Sequence, residues 1–443
     1  MVFGDGAGCG WLLRAPDLDE IASEIRDDRR KRKDTAVVIP SYKNPSLLKK
    51  HLSKLSEQTF KDFDAIVVLG GDDEALLERY EFGILYLRRK LDFGSAGAFY
   101  AGEKRAFEDG YRTIVLADDD CLPQGPDLLG NLVAKAQEKK VAKAQRMDVP
   151  RKPRMAVLPQ YGAITRDVFE RVGFSFLPFY TGGEDVELEI RMNRAGLNTD
   201  NFIEDRHCHP MMPTFLLWPR YKLYHYFRNA SFIAIISGWP AHLGLAMLCQ
   251  LLLGSMFIAI GRPDAGICIL RALWGVTWGV FFQDKGIGGR GAIAIEDGAM
   301  EDGVVPVASK VPEYVEIDIP CGYMMPILWK MPKGTLLDAS IAVAKDLAGQ
   351  AAAIGGNLGK KIVYKDFEND LELFALLFSQ SAWAVHEGRA YSITKGRSVA
   401  GIVLGIFFFA AALPLSLILA PLLSLTAMIV HKAQGIRTEG YGL

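Results

Sequence analysis

The chain has 443 residues, half of them hydrophobic and 23% charged, with 51 Lys and Arg against 52 Asp and Glu. That length holds two or three domains of about 100 to 200 residues each. The even charge excludes a nucleic-acid binder acting through one broad basic field, and the apolar share excludes a wholly disordered chain.

The N-terminal extension, 1–34, opens with MVFGDGAGCGW, which lacks the basic start and apolar stretch of a secretory signal, so the region after it is expected in the cytoplasm. Its glycines are not followed by Lys-Ser/Thr and make no phosphate loop by motif. The run Arg29-Arg30-Lys31-Arg32-Lys33 reads as a solvated linker, with contact to anionic lipid as the alternative. The six cysteines are scattered without CxxC pairs, so neither a disulfide framework nor a zinc ribbon fits, and a reducing compartment is compatible.

From Thr35 short apolar runs alternate with amphipathic ones. The runs TAVVIP (35–40), DAIVVLG (64–70), ILYL (84–87) and TIVLA (113–117) predict strands. Leu47, Leu48, Leu52 and Leu55 recur at helical spacing after Ser46, and Phe93-Gly94-Ser95-Ala96-Gly97 opens a second helix. The alternation predicts an α/β nucleotide-binding domain over 35–229, with ligands at the carboxyl ends of its strands.

Asp118, Asp119 and Asp120 follow the fourth predicted strand. Three adjacent carboxylates repel one another, which makes chemical sense around a divalent cation, Mn2+ or Mg2+; a solvated acidic turn is the alternative. Glu184-Asp185 follows Thr181-Gly182-Gly183 at the start of a predicted helix, where acidic residues also serve the helix dipole. The nearby Phe174, Phe176, Phe179 and Tyr180 suggest a pocket wall, beside which a carboxylate can act as a general base. In His207-Cys208-His209 the two imidazoles share a face if the segment is extended, so one His can join the Asp triplet on the cation; an ordinary surface strand is the alternative.

The second half is apolar. Residues 230–261 contain no acidic or basic side chain other than His242, and Ala265 to Gln283 is interrupted only by Arg271. A bilayer core needs about 20 helical residues, so 230–283 reads as a transmembrane hairpin turning at Arg262-Pro263-Asp264. An insertion over 284–397 follows, in which 370–385 reads as an interfacial helix. Residues 398–430, with Pro414 and Pro421, read as one long tilted span, a re-entrant or kinked form being the alternative, before the tail 431–443. Arg220, Lys222, Arg228, Lys285, Arg290, Lys395 and Arg397 flank the spans and favour a multi-pass protein of the cell membrane with a cytoplasmic catalytic domain.

In this order VVIPSYKNPSLLKKHLSKLSEQTF, DFGSAGAFYAGEKRAFEDGYRTIVLADDD, YGAITRDVFERVGF, GGEDVELEIRMNRAG, HCH and YKLYHYFRNAS resemble the family 2 inverting glycosyltransferases of the GT-A fold. The last piece looks most like the galactofuranosyl- and rhamnosyltransferase branch. The resemblance implies a Rossmann-like GT-A nucleotide-sugar domain followed by transmembrane α-helices. It implies that Pro40, Ser41, Tyr42, Gly94, Gly97, Asp118 and Asp119 hold a UDP- or dTDP-sugar, and that Asp118 and Asp120 hold Mn2+ or Mg2+ together with His209 or His207. It implies further that Asp185 is the base, with Glu184 orienting it or the acceptor, and that Phe179, Tyr180, Gly182 and Gly183 face the acceptor. The family usually places a base-contacting Asp after its second strand, whereas this chain reads Val68-Leu69-Gly70-Gly71-Asp72-Asp73, and Asp72 stands nearest that place. The membrane half points to a lipid bilayer and to a lipid-linked glycan, polyprenyl phosphate or polysaccharide acceptor. A sugar nucleotidyltransferase and a non-catalytic sugar-nucleotide-binding scaffold are the rival readings.

Overall fold

The computed structural model describes residues 17–29, 32–42, 45–70, 79–90, 93–146, 158–208, 220–236, 240–259, 263–279, 336–337, 361–362, 383–386, 389–392 and 399–434. The chain divides into one unit of Met1–Pro210, Phe281–Gln283 and Gly435–Leu443, and a second of Met211–Val280 and Asp284–Gln434.

The first unit runs α1 (Leu18–Ile21), β1 (Ala22–Asp27), β2 (Thr35–Ser41), α2 (Pro45–Ser56), β3 (Phe63–Leu69), β4 (Gly83–Arg89) and α3 (Gly94–Glu108). It continues through β5 (Thr113–Ala117), β6 (Leu122–Pro123), α4 (Leu128–Lys139), β7 (Val141–Arg146), β8 (Gln160–Thr165), α5 (Arg166–Val172), a 3-10 turn (Leu177–Phe179), α6 (Glu184–Arg194) and β9 (Phe202–Cys208). All nine strands join one mixed sheet in the order β1-β4-β3-β2-β5-β8-β7-β9-β6. The four central strands β4, β3, β2 and β5 are parallel, and β8 runs antiparallel to β5. These four strands lie where the apolar runs predict them.

Parallel strands are covered on both faces, and they are correspondingly apolar throughout. Val37, Ile39, Val67, Leu69 and Val115 pack with Leu48, Leu52 and Leu55 of α2 and Leu128, Leu129 and Leu132 of α4. On the other face α3 approaches β2 and β3 so closely that a Cβ at Gly102 would lie 2.3 Å from Val38 Cγ1. Burying each such Val, Leu or Ile contributes about 1.5–3 kcal/mol. Helices on both sides fix the sheet, and the parallel strands deliver Ser41, Gly70, Arg89 and Asp118 to one edge.

The second unit contains α7 (Arg220–Ile236), α8 (Pro240–Ala259), α9 (Pro263–Thr277), the short ladders β10 (Leu336–Leu337) with β11 (Lys361–Ile362) and β12 (Trp383–His386) with β13 (Arg389–Ser392), and α10 (Val399–Gln434). Helix α10 continues through Pro414 and Pro421 without a break. It packs on α8 and α9 while Phe407, at 69% exposure, and Ile418, at 64%, face outward with Ile406, Leu417, Leu422 and Ile429. Helices α8 and α10 are long and apolar enough to cross a membrane; α9 is apolar but shorter. Most of the predicted interfacial helix at 370–385 lies outside the described residues, and its last part belongs instead to β12.

The close approach at Gly102 makes a direct prediction. Gly102→Val forces α3 away from β2 and destabilises the first unit by about 1–3 kcal/mol; thermal melting of the purified chain reads this as a lowered transition, and an unchanged transition would contradict the packing.

Candidate active site

Strand β5 ends at Ala117, and the chain turns at once. The Asp118 amide donates to the Pro159 carbonyl at 2.7 Å, and the Cys121 amide donates back to the Asp118 carbonyl at 3.0 Å. These bonds hold Asp118, Asp119 and Asp120 half-buried at the strand end. Asp119 accepts a 2.9 Å hydrogen bond from Ser41 Oγ, tying the acidic turn to the end of β2. One ligand atom from each of Asp118, Asp120 and the buried Cys121 lies within 4.8 Å of the others.

The second carboxylate pair begins α6. Gly182 and Gly183, with φ of 79° and 93°, occupy the left-handed region and swing the chain from the 3-10 turn into the helix. Glu184 Oε1 accepts from Ser95 Oγ at 2.7 Å. Ser95 lies in the first turn of α3, where the Ala96 amide donates to the Tyr180 carbonyl at 3.0 Å. Gly94 has φ 63°, and a Cβ there would stand 2.1 Å from that carbonyl oxygen, so only glycine permits the contact. The start of α3 thereby anchors the turn that presents Tyr180 and Glu184.

The two acidic groups act on each other. Burial pushes the Asp118 carboxyl well above its ordinary range, and Asp120, Asp119, Glu184 and Asp185 raise it further, in that order. Glu184 is pushed up to about 7 by burial and then by Asp185, against the bond from Ser95. Burial likewise raises Asp185, opposed by backbone N–H groups at the start of α6 and by the Lys143 ammonium. Lys143 is itself buried, 2.9 Å from Glu189 Oε1 and stacked over Phe202.

Carboxylate oxygens are hard donors, and a cluster that repels itself this strongly fits a divalent cation of the Mn2+ or Mg2+ type. Pro40 is half-buried beside Ser41 at the end of β2, and Tyr42 is 57% exposed with the Arg89 guanidinium 5.4 Å from its ring centroid. Gly94 and Gly97 lie at the start of α3, and Phe179 is buried in the 3-10 turn. His207 is buried in β9, its ring 6.0 Å from that of Tyr161. Asp72 and His209 lie outside the described residues. Lys143 and Arg89 enter the site without any motif to mark them, and Ser95, though inside the DFGSAGAF piece, carries no role there that the sequence states; the role of each is set by the fold.

The raised Glu184 fixes the sign of a pH effect. The folded chain holds a proton on Glu184 up to about pH 7, whereas the unfolded chain releases it near 4.5, so this group makes stability fall as pH rises between those values. In metal-free buffer Glu184→Gln is expected to flatten the fall in melting temperature from pH 5 to 7; an identical slope in parent and variant would contradict the buried carboxyl.

Residues 36–183 match the family model for Glycosyl transferase family 2, about a third of the chain, ending one residue before Glu184. No curated protein matches the chain. Among solved structures, the chain is similar to a mannosyltransferase from Pyrobaculum calidifontis in complex with GDP-Man and Mn2+, at 15% identity and TM-score 0.37, covering 61% of this chain and 80% of that one. It is similar to S. aureus TarS at 13% identity and TM-score 0.35, covering 46% of this chain and 39% of that one. It is also similar to glucosyl-3-phosphoglycerate synthase from Mycobacterium tuberculosis, in complex with Mn2+, UDP and glucosyl-3-phosphoglycerate, at 15% identity and TM-score 0.32, covering 41% and 73%. The chain thus carries a glycosyl transferase family 2 region over residues 36–183, which contains the acidic turn and the ends of the parallel strands.

Proposed function

We propose that this chain is a membrane-bound inverting glycosyltransferase, passing a sugar from a UDP- or dTDP-sugar to a hydroxyl of a lipid-linked glycan, polyprenyl phosphate or polysaccharide. The observation that carries the reading is the cluster of Asp118 and Asp120 ligand atoms at the end of β5, with Asp119 held by Ser41 and Glu184 by Ser95, in and directly after a family 2 region. The nucleotide is assigned to the edge formed by Pro40, Ser41, Tyr42, Gly94, Gly97 and Asp119, where ligands of such sheets collect.

In this reading Asp185 takes the proton of the acceptor hydroxyl, whose oxygen then attacks the anomeric carbon as the bond to the diphosphate oxygen breaks. One displacement with no covalent sugar intermediate inverts the configuration. The raised pKa of Asp185 brings it toward the range where a base works efficiently. Glu184, fixed by Ser95, orients Asp185 or the acceptor. Asp118 and Asp120, with His207 or His209, would hold Mn2+ or Mg2+, which supplies charge neutralisation at the leaving diphosphate when bound. Phe179, Tyr180, Gly182 and Gly183 are assigned to the acceptor side.

Helices α8 and α10, with the apolar outward face of α10, support attachment to a bilayer. On this reading the family 2 region lies on the cytoplasmic side of the cell membrane, beside a pool of sugar nucleotides and within reach of lipid headgroups. The product is a cell-envelope glycan or its lipid-linked precursor.

Membranes carrying the chain, supplied with labelled UDP- and dTDP-sugars and a lipid extract, are expected to show transfer that chelation abolishes. Asp185→Asn should lower the rate by about 10²–10⁴-fold. Undiminished transfer by that variant removes Asp185 from its role, and pyrophosphate release from a nucleoside triphosphate would favour a nucleotidyltransferase instead.

A further inference from the structure

Strand β5 pairs with β8 in regular antiparallel register until the last residue of β5. Leu116 pairs with Gly162 and Ala117 with Gln160, so Tyr161 is an extra residue bulged out of the ladder beside the start of the acidic turn. Its φ is 63°, in the left-handed region, and its side chain is fully buried. A bulky residue held there is strained, and such strain persists where the surroundings impose it, commonly next to a functional site.

The surroundings are specific. The Tyr161 hydroxyl is 2.7 Å from Nε2 of His51, a fully buried residue of α2, and its ring lies against that of His207 in β9. Burial, and after it Cys121 at the close of the acidic turn, disfavour ionisation of that hydroxyl. The Asp118 amide donates to the carbonyl of Pro159, two residues before Tyr161, so the backbone that carries the bulge also holds the start of the acidic turn. The imidazole and the phenol therefore join α2 to β8, and through the His207 ring contact to β9, beside the turn. Apolar side chains would fill this space without desolvating two polar groups, so the pair costs more than packing requires.

Resting on the reading of the acidic turn as a cation site, we propose that the His51–Tyr161 pair is a positioning device that sets the backbone of Asp118 and Asp119, and so the affinity of the turn for its divalent cation. Groups that orient metal-binding side chains from behind typically change metal affinity by roughly 10–100-fold when removed.

The test uses the full chain purified in detergent, with Mn2+ alone as the probe, titrated by the loss of its free electron paramagnetic resonance signal. Tyr161→Phe removes only the hydroxyl, His51→Leu removes both polar atoms of the ring, and His51→Gln retains a polar group able to meet Tyr161. Near-UV circular dichroism establishes that each variant keeps the parent's packing, and the two His51 variants carry the test if Tyr161→Phe does not fold. Expected are a roughly tenfold weaker Mn2+ affinity for Tyr161→Phe and His51→Leu, and an affinity within about threefold of the parent for His51→Gln. In the transfer assay the Mn2+ concentration giving half activity should rise in parallel while kcat at saturating Mn2+ stays near the parent's. Parent-like Mn2+ affinity in folded His51→Leu overturns the proposal alone, as does His51→Gln binding no better than His51→Leu. Failure of the parent itself to bind Mn2+ overturns the cation-site reading on which the proposal rests.

Discussion

Five carboxylates crowd the carboxyl edge of the parallel strands, and the rest of the first unit is arranged around containing their repulsion. Asp118 feels burial and four negative neighbours at once, and Glu184 is raised to about 7 beside Asp185. A fold has no stability reason to gather such groups, because like charges brought together out of water cost free energy. Their convergence fits a site that admits positive charge.

Containment is achieved by hydrogen bonds from several elements. Ser41 at the end of β2 holds Asp119, Ser95 at the start of α3 holds Glu184, and the backbone N–H groups of α6 moderate Asp185. Lys143 on β7 supplies a buried cation nearby. The packed sheet makes this possible: Val38 and Val68 seat α3 through the Gly102 contact, and the Gly94 approach to Tyr180 transmits that position to the turn before α6. The helix–sheet packing therefore sets where Glu184 stands relative to Asp118.

Much of this is legible in the amino-acid sequence. The β-strands of the centre declare themselves because parallel strands buried on both faces must be apolar runs, and the acidic triplet stands out because it follows one of them. Glu184 and Asp185 are visible through the two glycines that precede them. The bulge at Tyr161 is not, since YGAIT reads as a regular strand and the extra residue appears only in its pairing with Leu116 and Ala117. His51 sits among leucines at helical spacing, where a histidine carries no local signal. Lys143 and Arg89 are likewise lone polar residues whose meaning is tertiary, and the bond from Ser95 to Glu184 is tertiary too although Ser95 lies in a recognisable piece. The long apolar stretch over 398–430 is legible as helix, and α10 passes both prolines unbroken.

The central claim is that these carboxylates surround one cation beside a bound nucleotide. Anomalous scattering recorded near the manganese edge, from the full chain crystallised with Mn2+ and a nucleoside diphosphate, tests this most directly. The account predicts a single anomalous peak bonded to carboxylate oxygens of Asp118 or Asp120 and to the diphosphate, with Asp185 facing the cleft. A peak at another place in the unit, or diphosphate bound away from the acidic turn, would contradict it.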